Sequence, residues 1–388
     1  MNTKIIAIAA VAVILVAGTG VGIVYMMEKN NYQYDVSKGW KSWDPVISEN
    51  ASTGKIGNHP LFAEQVEKIY VDIYGKAPDY SKYKLSDVPA DYLKPESYIV
   101  SQTDTTITIK SQFRATTTES LSHEVNVTLN KNPKYLMAAG SQVCLLYALL
   151  LEKYDGNKTT AEAKLWETVY AIDASAYPGK SSDITASMGL TIPSSVKKLT
   201  STYYLNKNLT EYTGYVEGAT ATGDVVIMTG VAGDSYADLN ASGKFLEMLS
   251  NATPNKASYL GMFAPSVQSV FGNVMTIGTL FGLQDEAAKY VDECRLKFYT
   301  MYKEAEGKNY TAYMESKAGS AAGTGTIINS VMTDVLNLKN ICDHQQWKAV
   351  GNEFVIDKRP HVIIFYDNDT RTMDEKMRVG VETTTTTS

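Results

Sequence analysis

The sequence contains few cysteines and little charge. Its three cysteines, Cys144, Cys294 and Cys342, are odd in number and far apart, so they predict no disulfide framework and at most one bridge. Charged residues make up 20% of the chain and the net charge is −6, which argues against a nucleic-acid-binding protein. We find no Gly-x-Ser-x-Gly, Walker, His-Glu-x-x-His or Gly-x-Gly-x-x-Gly motif. The sequence therefore predicts no enzyme and no catalytic residue.

Metal-binding residues are also sparse. Cys342, Asp343 and His344 are adjacent and all three are ligand types, but the other histidines are scattered along the chain. A closed metal site normally needs four ligands, and no second cluster lies near these three in the sequence. We therefore expect neither a metal site nor a cofactor.

Long apolar runs are limited to one. Between Lys4 and Glu28 lie 23 uncharged residues, which as a helix would span about 35 Å and cross a hydrocarbon core of about 30 Å. We expect this run to anchor a single-pass protein in the cell membrane, with its positive end inside and the rest extracytoplasmic. The alternative is a cleaved signal peptide, which would leave a free secreted protein.

Polar residues typical of exported proteins are abundant. There are 26 tyrosines against 9 phenylalanines. Eight Asn-x-Ser/Thr sequons predict surface glycosylation in an exported chain, although a chain rich in asparagine and threonine also forms sequons by chance. The sequons are at Asn50, Asn126, Asn157, Asn208, Asn240, Asn251, Asn309 and Asn368.

Strand and helix patterns alternate along the rest of the chain. A helix is predicted from Pro60 to Gly75, followed by strands near 106–110, 124–129 and 134–138. Further strands are predicted at 168–173, 224–229, 311–315 and 361–366, and two successive helices between 265 and 306. Such alternation predicts an α/β fold with mainly parallel sheets.

Four stretches, taken in order, resemble the substrate-binding proteins of iron-chelate, haem and corrinoid ABC importers. They are Glu124–Leu129 with Lys134–Ala138 and Leu146–Leu149, then Asp224–Ile227, then Ile277–Tyr290, and finally Glu353 with Arg359–Ile364. The resemblance covers about residues 104–367. It implies two lobes joined by one long helix, here 265–281, with a ligand held between lobes that open and close.

The resemblance also suggests how the chain is divided. We expect a signal anchor, a stalk with an N-terminal extension, a first lobe, a linker helix with the start of the second lobe, the second lobe and a disordered threonine-rich tail. Their ranges are 1–27, 28–100, 101–262, 263–306, 307–380 and 381–388. The chain stops soon after strand 361–366, where the family continues with a further helix, strand and helix. Two explanations stay open, a shortened second lobe or a truncated C-terminus, and a missing helix would leave apolar sheet surface exposed.

The resemblance also implies that two glutamates dock the protein on a permease. Proteins of the family dock through one glutamate in each lobe, about seven residues before a buried strand. Glu353 lies seven residues before Pro360, and Glu217 lies six before Gly223. Each carboxylate would pair with permease arginines. The alternative is that both are ordinary exposed glutamates.

Ligand-binding residues are expected where parallel strands end, because clefts form at that edge of an α/β sheet. Turns that follow strands supply free backbone N–H groups that can hold an anionic ligand. The alternative is that these are routine turns. The candidates are Gly140, Ser141 and Gln142 in the first lobe, and Ser320, Thr324, Tyr366 and Asp367 in the second.

The sequence thus predicts an extracytoplasmic solute-binding protein. It would capture an iron chelate (siderophore), haem or corrinoid and deliver it to an ABC permease and its ATPase. A different class of function stays open, namely a membrane-anchored structural or adhesion protein that uses the same fold without transport.

Overall fold

The computed structural model describes residues 45–48, 60–114, 122–174, 185, 188–199, 209–229, 256–315 and 320–365. The predicted membrane anchor, the threonine-rich tail, Tyr366, Asp367 and five of the eight sequons lie outside these ranges. Within the described ranges, no helix is both long and apolar enough to cross a membrane.

An antiparallel hairpin sheet precedes the two larger sheets along most of their length in the chain. Its strands are β2 (Ile99–Gln102), β3 (Thr106–Arg114) and β4 (Ser122–Asn130), in that order. Alternate residues of β3, including Ile107 and Ile109, are buried, as expected for a sheet with one face on the core. The hairpin sheet is fixed to the next sheet by the Gly261 N–H, which donates to Ser111 Oγ over 2.8 Å.

The first sheet has five parallel strands in the order β7-β6-β5-β8-β9. All four described side chains of its inner strand β8, Val225 to Met228, are at most 2% exposed, as expected for a parallel strand covered on both faces. The predicted α/β fold with parallel sheets is confirmed here. The strands are β5 (Tyr135–Ala138), β6 (Val169–Asp173), β7 (Lys197–Leu199), β8 (Val225–Thr229) and β9 (Ala257–Gly261), and the helices between them include α2 (Gly140–Lys153), α3 (Lys158–Thr168) and α4 (Leu209–Thr220).

The second sheet is mixed. Its order is β1-β14-β10-β11-β13, and β12 also pairs with β10. Strand β14 pairs in parallel with β1 and with β10, and β10 also pairs in parallel with β12. Strand β11 is antiparallel to both β10 and β13. The strands are β1 (Val46–Ser48), β10 (Thr311–Glu315), β11 (Ser320–Ala322), β12 (Lys339–Asn340), β13 (Trp347–Ala349) and β14 (Val362–Phe365).

Strand β1 lies within residues 28–100, which the sequence predicted to be a stalk with an N-terminal extension. Val46 pairs with Val362 in parallel register, so part of the N-terminal extension forms an edge strand of the second sheet. Helix α1 (Phe62–Tyr74) follows and packs against β1, and Phe62 meets Phe298 edge-to-face at 5.1 Å. The N-terminal extension thus covers sheet surface that the sequence predicted to be exposed. A three-residue strand is too short to show a period in the sequence.

Two successive helices, as predicted, connect the sheets: α5 (Val267–Leu280) and α6 (Gln284–Glu304), with a left-handed turn at Gly282. Helix α6 has 21 residues and is therefore about 31 Å long. It packs against α2 beside the first sheet and against α1 and the turn 331–335 beside the second. The long linking helix is therefore α6, and not 265–281 as the resemblance suggested.

Short helices complete the part around the second sheet. Helix α7 (Ile327–Ser330) continues into a single π turn at Val331–Val335, and α8 (Asn352–Lys358) precedes β14. Ser320, which was predicted to lie in a turn that follows a strand, begins β11 instead. The antiparallel pairing of β11 with β13 supplies hydrogen bonds that the sequence pattern of Ser320–Ala322 does not reveal.

Candidate functional site

The ligand contacts predicted for the first lobe, residues 140–142, form the start of helix α2, directly after β5. Gly140 and Gln142 are buried, and Ser141 is half-buried with its Oγ donating to Gln142 Oε1 over 2.9 Å. The Nε2 of Gln142 is buried and has no hydrogen-bond partner among the described residues. Leaving such a group unpaired costs about 1–3 kcal/mol. Of the three, Ser141 is the residue whose side chain is accessible to a ligand.

The two described ligand contacts predicted for the second lobe, Ser320 and Thr324, lie at different ends of one strand. Ser320 begins β11, whereas Thr324 lies beyond the other end of that strand and is exposed. The backbone N–H of Thr324 donates to the carbonyl of His344 over 2.8 Å. Because β11 runs antiparallel to β10, Ser320 is the one near the carboxyl end of β10, where Glu315 pairs with Ala321.

A polar groove lies between elements that flank the two sheets. It has a volume of about 540 Å³ and is lined by three segments far apart in the sequence, 94–96, 265–268 and 325–334. One wall is the start of α5, which follows β9 of the first sheet, and the opposite wall is α7 with its π turn. We call this cavity the inter-sheet groove.

The start of α5 is occupied by a carboxylate of the protein itself. Ser266 is the N-cap residue, and its Oγ accepts from the Ser269 N–H over 3.1 Å. Glu96 Oε1 accepts from Ser269 Oγ over 2.9 Å, and Glu96 Oε2 accepts from the Tyr98 hydroxyl over 2.6 Å. Burial, followed by the hydrogen bond with Glu96, raises the pKa of Tyr98, so this hydroxyl stays a donor. A negative charge is favourable at a helix start, and Glu96 supplies it.

The opposite wall carries a second carboxylate, that of Asp334. Its Oδ2 accepts from Ser330 Oγ over 2.7 Å, and its Oδ1 accepts from Thr333 Oγ1 over 2.8 Å. Ser330 Oγ also accepts from the backbone N–H of Val267 over 3.1 Å. Ser330 therefore joins the two walls directly.

The groove offers hydroxyls, amides and charges of both signs. Gln268 contributes an Oε1 that is buried and has no hydrogen-bond partner in the described part of the chain. The charged groups are Glu96, Asp334 and Lys94. The arrangement suits a polar ligand held by hydrogen bonds. Within the described ranges, no group of three or more His, Cys, Asp or Glu residues could hold a metal ion.

Two buried acids, which the sequence analysis did not select, end inner strands of the two sheets. Asp173 ends β6 and is 3% exposed, and Glu315 ends β10 and is 2% exposed. Glu315 Oε2 accepts from the Tyr313 hydroxyl over 3.0 Å. The carboxyl ends of strands are where open α/β sheets bind ligands. In the sequence, each of these residues is an acid at the end of an apolar strand. Acidic side chains are rarely buried.

The two glutamates predicted to dock on a permease occupy comparable positions. Glu217 lies in α4, which precedes β8, and Glu353 lies in the first turn of α8, which precedes β14; both are exposed. A surface depression of about 650 Å³ adjoins α8 and is lined by Glu353, Phe354, Ile356, Asp357 and Arg359.

Residues 224–379 match a family model described as "Periplasmic binding protein". This segment belongs to the periplasmic binding protein family. It begins at Asp224, just before β8, and contains α5, α6 and every strand of the second sheet except β1. The predicted resemblance is confirmed over this range. Periplasmic binding proteins of this family deliver ligands to ABC permeases and are not enzymes, which agrees with the prediction of no catalytic activity.

Several solved structures are similar to this chain at low identity. A possible iron-binding (periplasmic solute-binding) protein from Staphylococcus epidermidis is 17% identical, with a TM-score of 0.43 over 65% of this chain and 84% of that one. The petrobactin-binding protein YclQ from Bacillus subtilis is 14% identical, with a TM-score of 0.44 over 70% and 83%. A periplasmic haem-binding protein from Pseudomonas aeruginosa is 13% identical, with a TM-score of 0.40 over 64% and 76%. No curated protein sequence matches the chain.

Proposed function

We propose that the protein is the extracytoplasmic solute receptor of an ABC importer and that its cargo is an iron chelate, haem or a corrinoid. The observation that carries this proposal is the family match from Asp224 to residue 379, which spans the linking helix α6 and most of the second sheet. The sequence resemblance to receptors of metal chelates supplies the cargo class.

The ligand would be held between the parts of the protein that contain the two sheets. The inter-sheet groove supports this location, because its hydroxyl and amide groups come from both walls. None of the described contacts predicted from the sequence lines this groove, and they remain predictions: Gly140, Ser141, Gln142, Ser320 and Thr324. Tyr366 and Asp367 remain predictions as well.

Delivery would use the two exposed glutamates. Glu217 and Glu353 lie on helices that each precede an inner strand, and we propose that they pair with arginines of the permease. The apolar run at 5–27, which the sequence predicts to be a membrane anchor, would keep the receptor at the membrane beside that permease. Glycans would be carried on exposed sequons such as Asn126 and Asn309. Asn157 is a poorer acceptor, because its side chain already caps α3.

Thermal unfolding of the purified full-length chain in mild detergent tests the cargo class. Ferric siderophores, haem and cobalamin are added separately, with the iron-free siderophores as controls. A ligand present at 100 times its Kd stabilises the native state by about 2.7 kcal/mol, so the Tm rises by several degrees. If no ligand class shifts the Tm of a folded sample, transport is rejected and the structural or adhesion function is favoured.

A further inference from the structure

Residues 92–96 connect the part of the chain beside the second sheet to the part beside the first sheet. The N-terminal extension begins at β1 and α1, next to the second sheet, and ends at β2 in the hairpin sheet, which is fixed to the first. Its last described hydrogen bond to the wall formed by α7 and the π turn is made by Tyr92, and its first to α5 by Glu96. These two residues mark the ends of the crossing.

The end at Tyr92 is held by several contacts. Its hydroxyl donates to the carbonyl of Asp334 in the π turn over 2.8 Å, and its ring meets Tyr299 of α6 edge-to-face at 5.3 Å. The guanidinium of Arg295, also on α6, donates to the carbonyls of Tyr92 and Pro89 over 3.0 and 2.9 Å. Arg295 is 13% exposed, so these charged hydrogen bonds are partly shielded from water.

The end at Glu96 is held as firmly. Its backbone N–H donates to the carbonyl of Gln268 over 3.1 Å, and its carboxylate accepts from Ser269. The segment lies so close to α5 that a Cβ added to Gly272 would be 2.6 Å from the carbonyl oxygen of Glu96. Two residues on, the carbonyl of Tyr98 accepts from the Lys110 N–H over 2.8 Å.

The crossing itself is short and stiff. Four residue steps separate Tyr92 from Glu96, so their Cα atoms can never be more than about 14 Å apart. Leu93 has a φ of 49° and is only 3% exposed, and Pro95 has a fixed φ. A buried leucine in the left-handed region persists only where its surroundings hold it.

We propose that residues 92–96 are an inextensible tether between two halves of the protein and limit how far these halves can separate. One half contains the second sheet with β1 and α1, and the other contains the first sheet with the hairpin sheet. Helix α6 is the other covalent connection in the described part of the chain, so two connections join the halves there. A wide hinge opening about α6 would have to break the anchor at Tyr92 or the one at Glu96. Opening is therefore of small amplitude, whatever ligand the protein carries.

Lengthening the tether tests the proposal directly. Six residues of Gly-Ser sequence inserted between Lys94 and Pro95 add up to about 20 Å of reach. Spin labels at Lys197→Cys on β7 and Lys348→Cys on β13 report the distance between the two sheets, because both positions are exposed edge-strand residues. The three native cysteines are at most 4% exposed and do not take up label in the native protein.

The expected result is a narrow distribution of distances in the parent protein and a broader, longer one in the insertion variant. The matched control is the same insertion after Gly156, an exposed turn between α2 and α3 with open space around it. This control keeps the narrow distribution. The proposal is overturned if the parent distribution is already as broad as that of the Lys94 insertion, or if the two insertions behave alike.

A point variant decides the question even if the insertion prevents folding. Tyr92→Phe removes the hydroxyl that binds the Asp334 carbonyl and leaves the tether length unchanged. Tyr80→Phe is the control, since the Tyr80 hydroxyl donates to Glu67 over 2.8 Å entirely within the N-terminal extension. The distance distribution should broaden in Tyr92→Phe and not in Tyr80→Phe. Equal distributions in these two variants would overturn the proposal.

Discussion

Val46 and Val362 are paired neighbours on parallel strands, although they lie near opposite ends of the described chain. The pairing places β1 at the edge of the second sheet, where β14 would otherwise present unpaired backbone groups. Ser48 Oγ then donates to Asp72 of α1 over 3.0 Å, which fixes the strand to the helix that follows it. The N-terminal extension is therefore part of the second sheet.

Shortening Ile47 should destabilise the whole protein. The side chain is 7% exposed and packs with Tyr313, Ile363 and Phe365. Ile47→Ala should lower the free energy of unfolding by about 2–4 kcal/mol, measured by denaturant unfolding. Val100→Ala is the control, because Val100 is 50% exposed on β2. Equal stability of the two variants would show that β1 is not docked in solution.

Gly272 should not tolerate a methyl group, although it lies within helix α5. An added Cβ would be 2.6 Å from the backbone oxygen of Glu96, so the N-terminal extension would have to shift. Gly272→Ala should therefore lower the Tm, whereas Gly214→Ala in α4, with open space around it, should raise stability by about 0.5–1 kcal/mol. A stabilising effect at both glycines would contradict the close packing of this extension on α5.

The long periodic elements could be predicted from the sequence. Strand β8 has an unbroken apolar run, and α5 and α6 keep helical spacing on each side of Gly282. The shortest elements could not be predicted, because a strand such as β1 with three residues has no measurable period. Its position depends on hydrogen bonds offered by β14, which is distant in the sequence.

Candidate site residues were harder to predict than the fold. The strand-end rule selected Ser141 and Ser320, which do follow or adjoin strand ends. It could not find the inter-sheet groove, because that cavity is built from loops and helix starts brought together by α6 and the N-terminal extension. The sequence analysis did not select Glu96, and only the fold places it at the start of α5.

Glu304 should make stability depend on pH in the acid range. Burial acts to raise its pKa, but the hydrogen bond from Lys82 and the charge of Lys76 outweigh burial and lower it. A carboxyl whose folded pKa is lowered contributes stability above its unfolded pKa of about 4.3, and this contribution is lost as the pH falls through the folded pKa. Glu304→Gln should therefore have a lower Tm than the parent at pH 7.

The difference in Tm between Glu304→Gln and the parent should shrink as the pH falls below about 4, because the unfolded carboxyl is protonated first and the folded carboxyl only below its own, lower pKa. Thermal unfolding of both proteins from pH 7 to pH 3 measures it. Glu306→Gln is a useful control, since Glu306 is exposed and its partner among the described residues is Lys303, one turn away. A difference that stays constant with pH would show that the Glu304 carboxylate is not what stabilises the fold.

The three thiols should be inert in the folded protein. Burial raises the pKa of Cys144 and Cys294 to about 12, and burial with the charge of Asp343 raises that of Cys342 to about 11. The thiolate is the reactive form, so a thiol reagent at pH 8 should modify none of them without denaturant and all three in guanidinium. Rapid modification of one cysteine in the native state would show local opening around it.

Removing the Glu353 carboxylate should separate ligand binding from transport. Glu353 is exposed in the first turn of α8, beside the depression lined by Phe354 and Arg359, and none of these residues lines the inter-sheet groove. Glu353→Ala should leave the Kd for the transported chelate unchanged. Uptake by the reconstituted importer should fall by tenfold or more, because truncating one partner of a desolvated charge pair costs about 2–5 kcal/mol.

Glu217→Ala should behave in the same way if α4 and α8 contact equivalent parts of the permease, and the double variant should lose more uptake than either single one. Glu167→Ala is the matched control, since Glu167 is exposed on α3 and its partner in the described structure is Lys164 one turn away. Unchanged uptake with Glu353→Ala would refute its docking role. A weakened Kd in the same variant would instead place Glu353 at the ligand, because a residue that contacts only the permease cannot change the affinity of the free receptor.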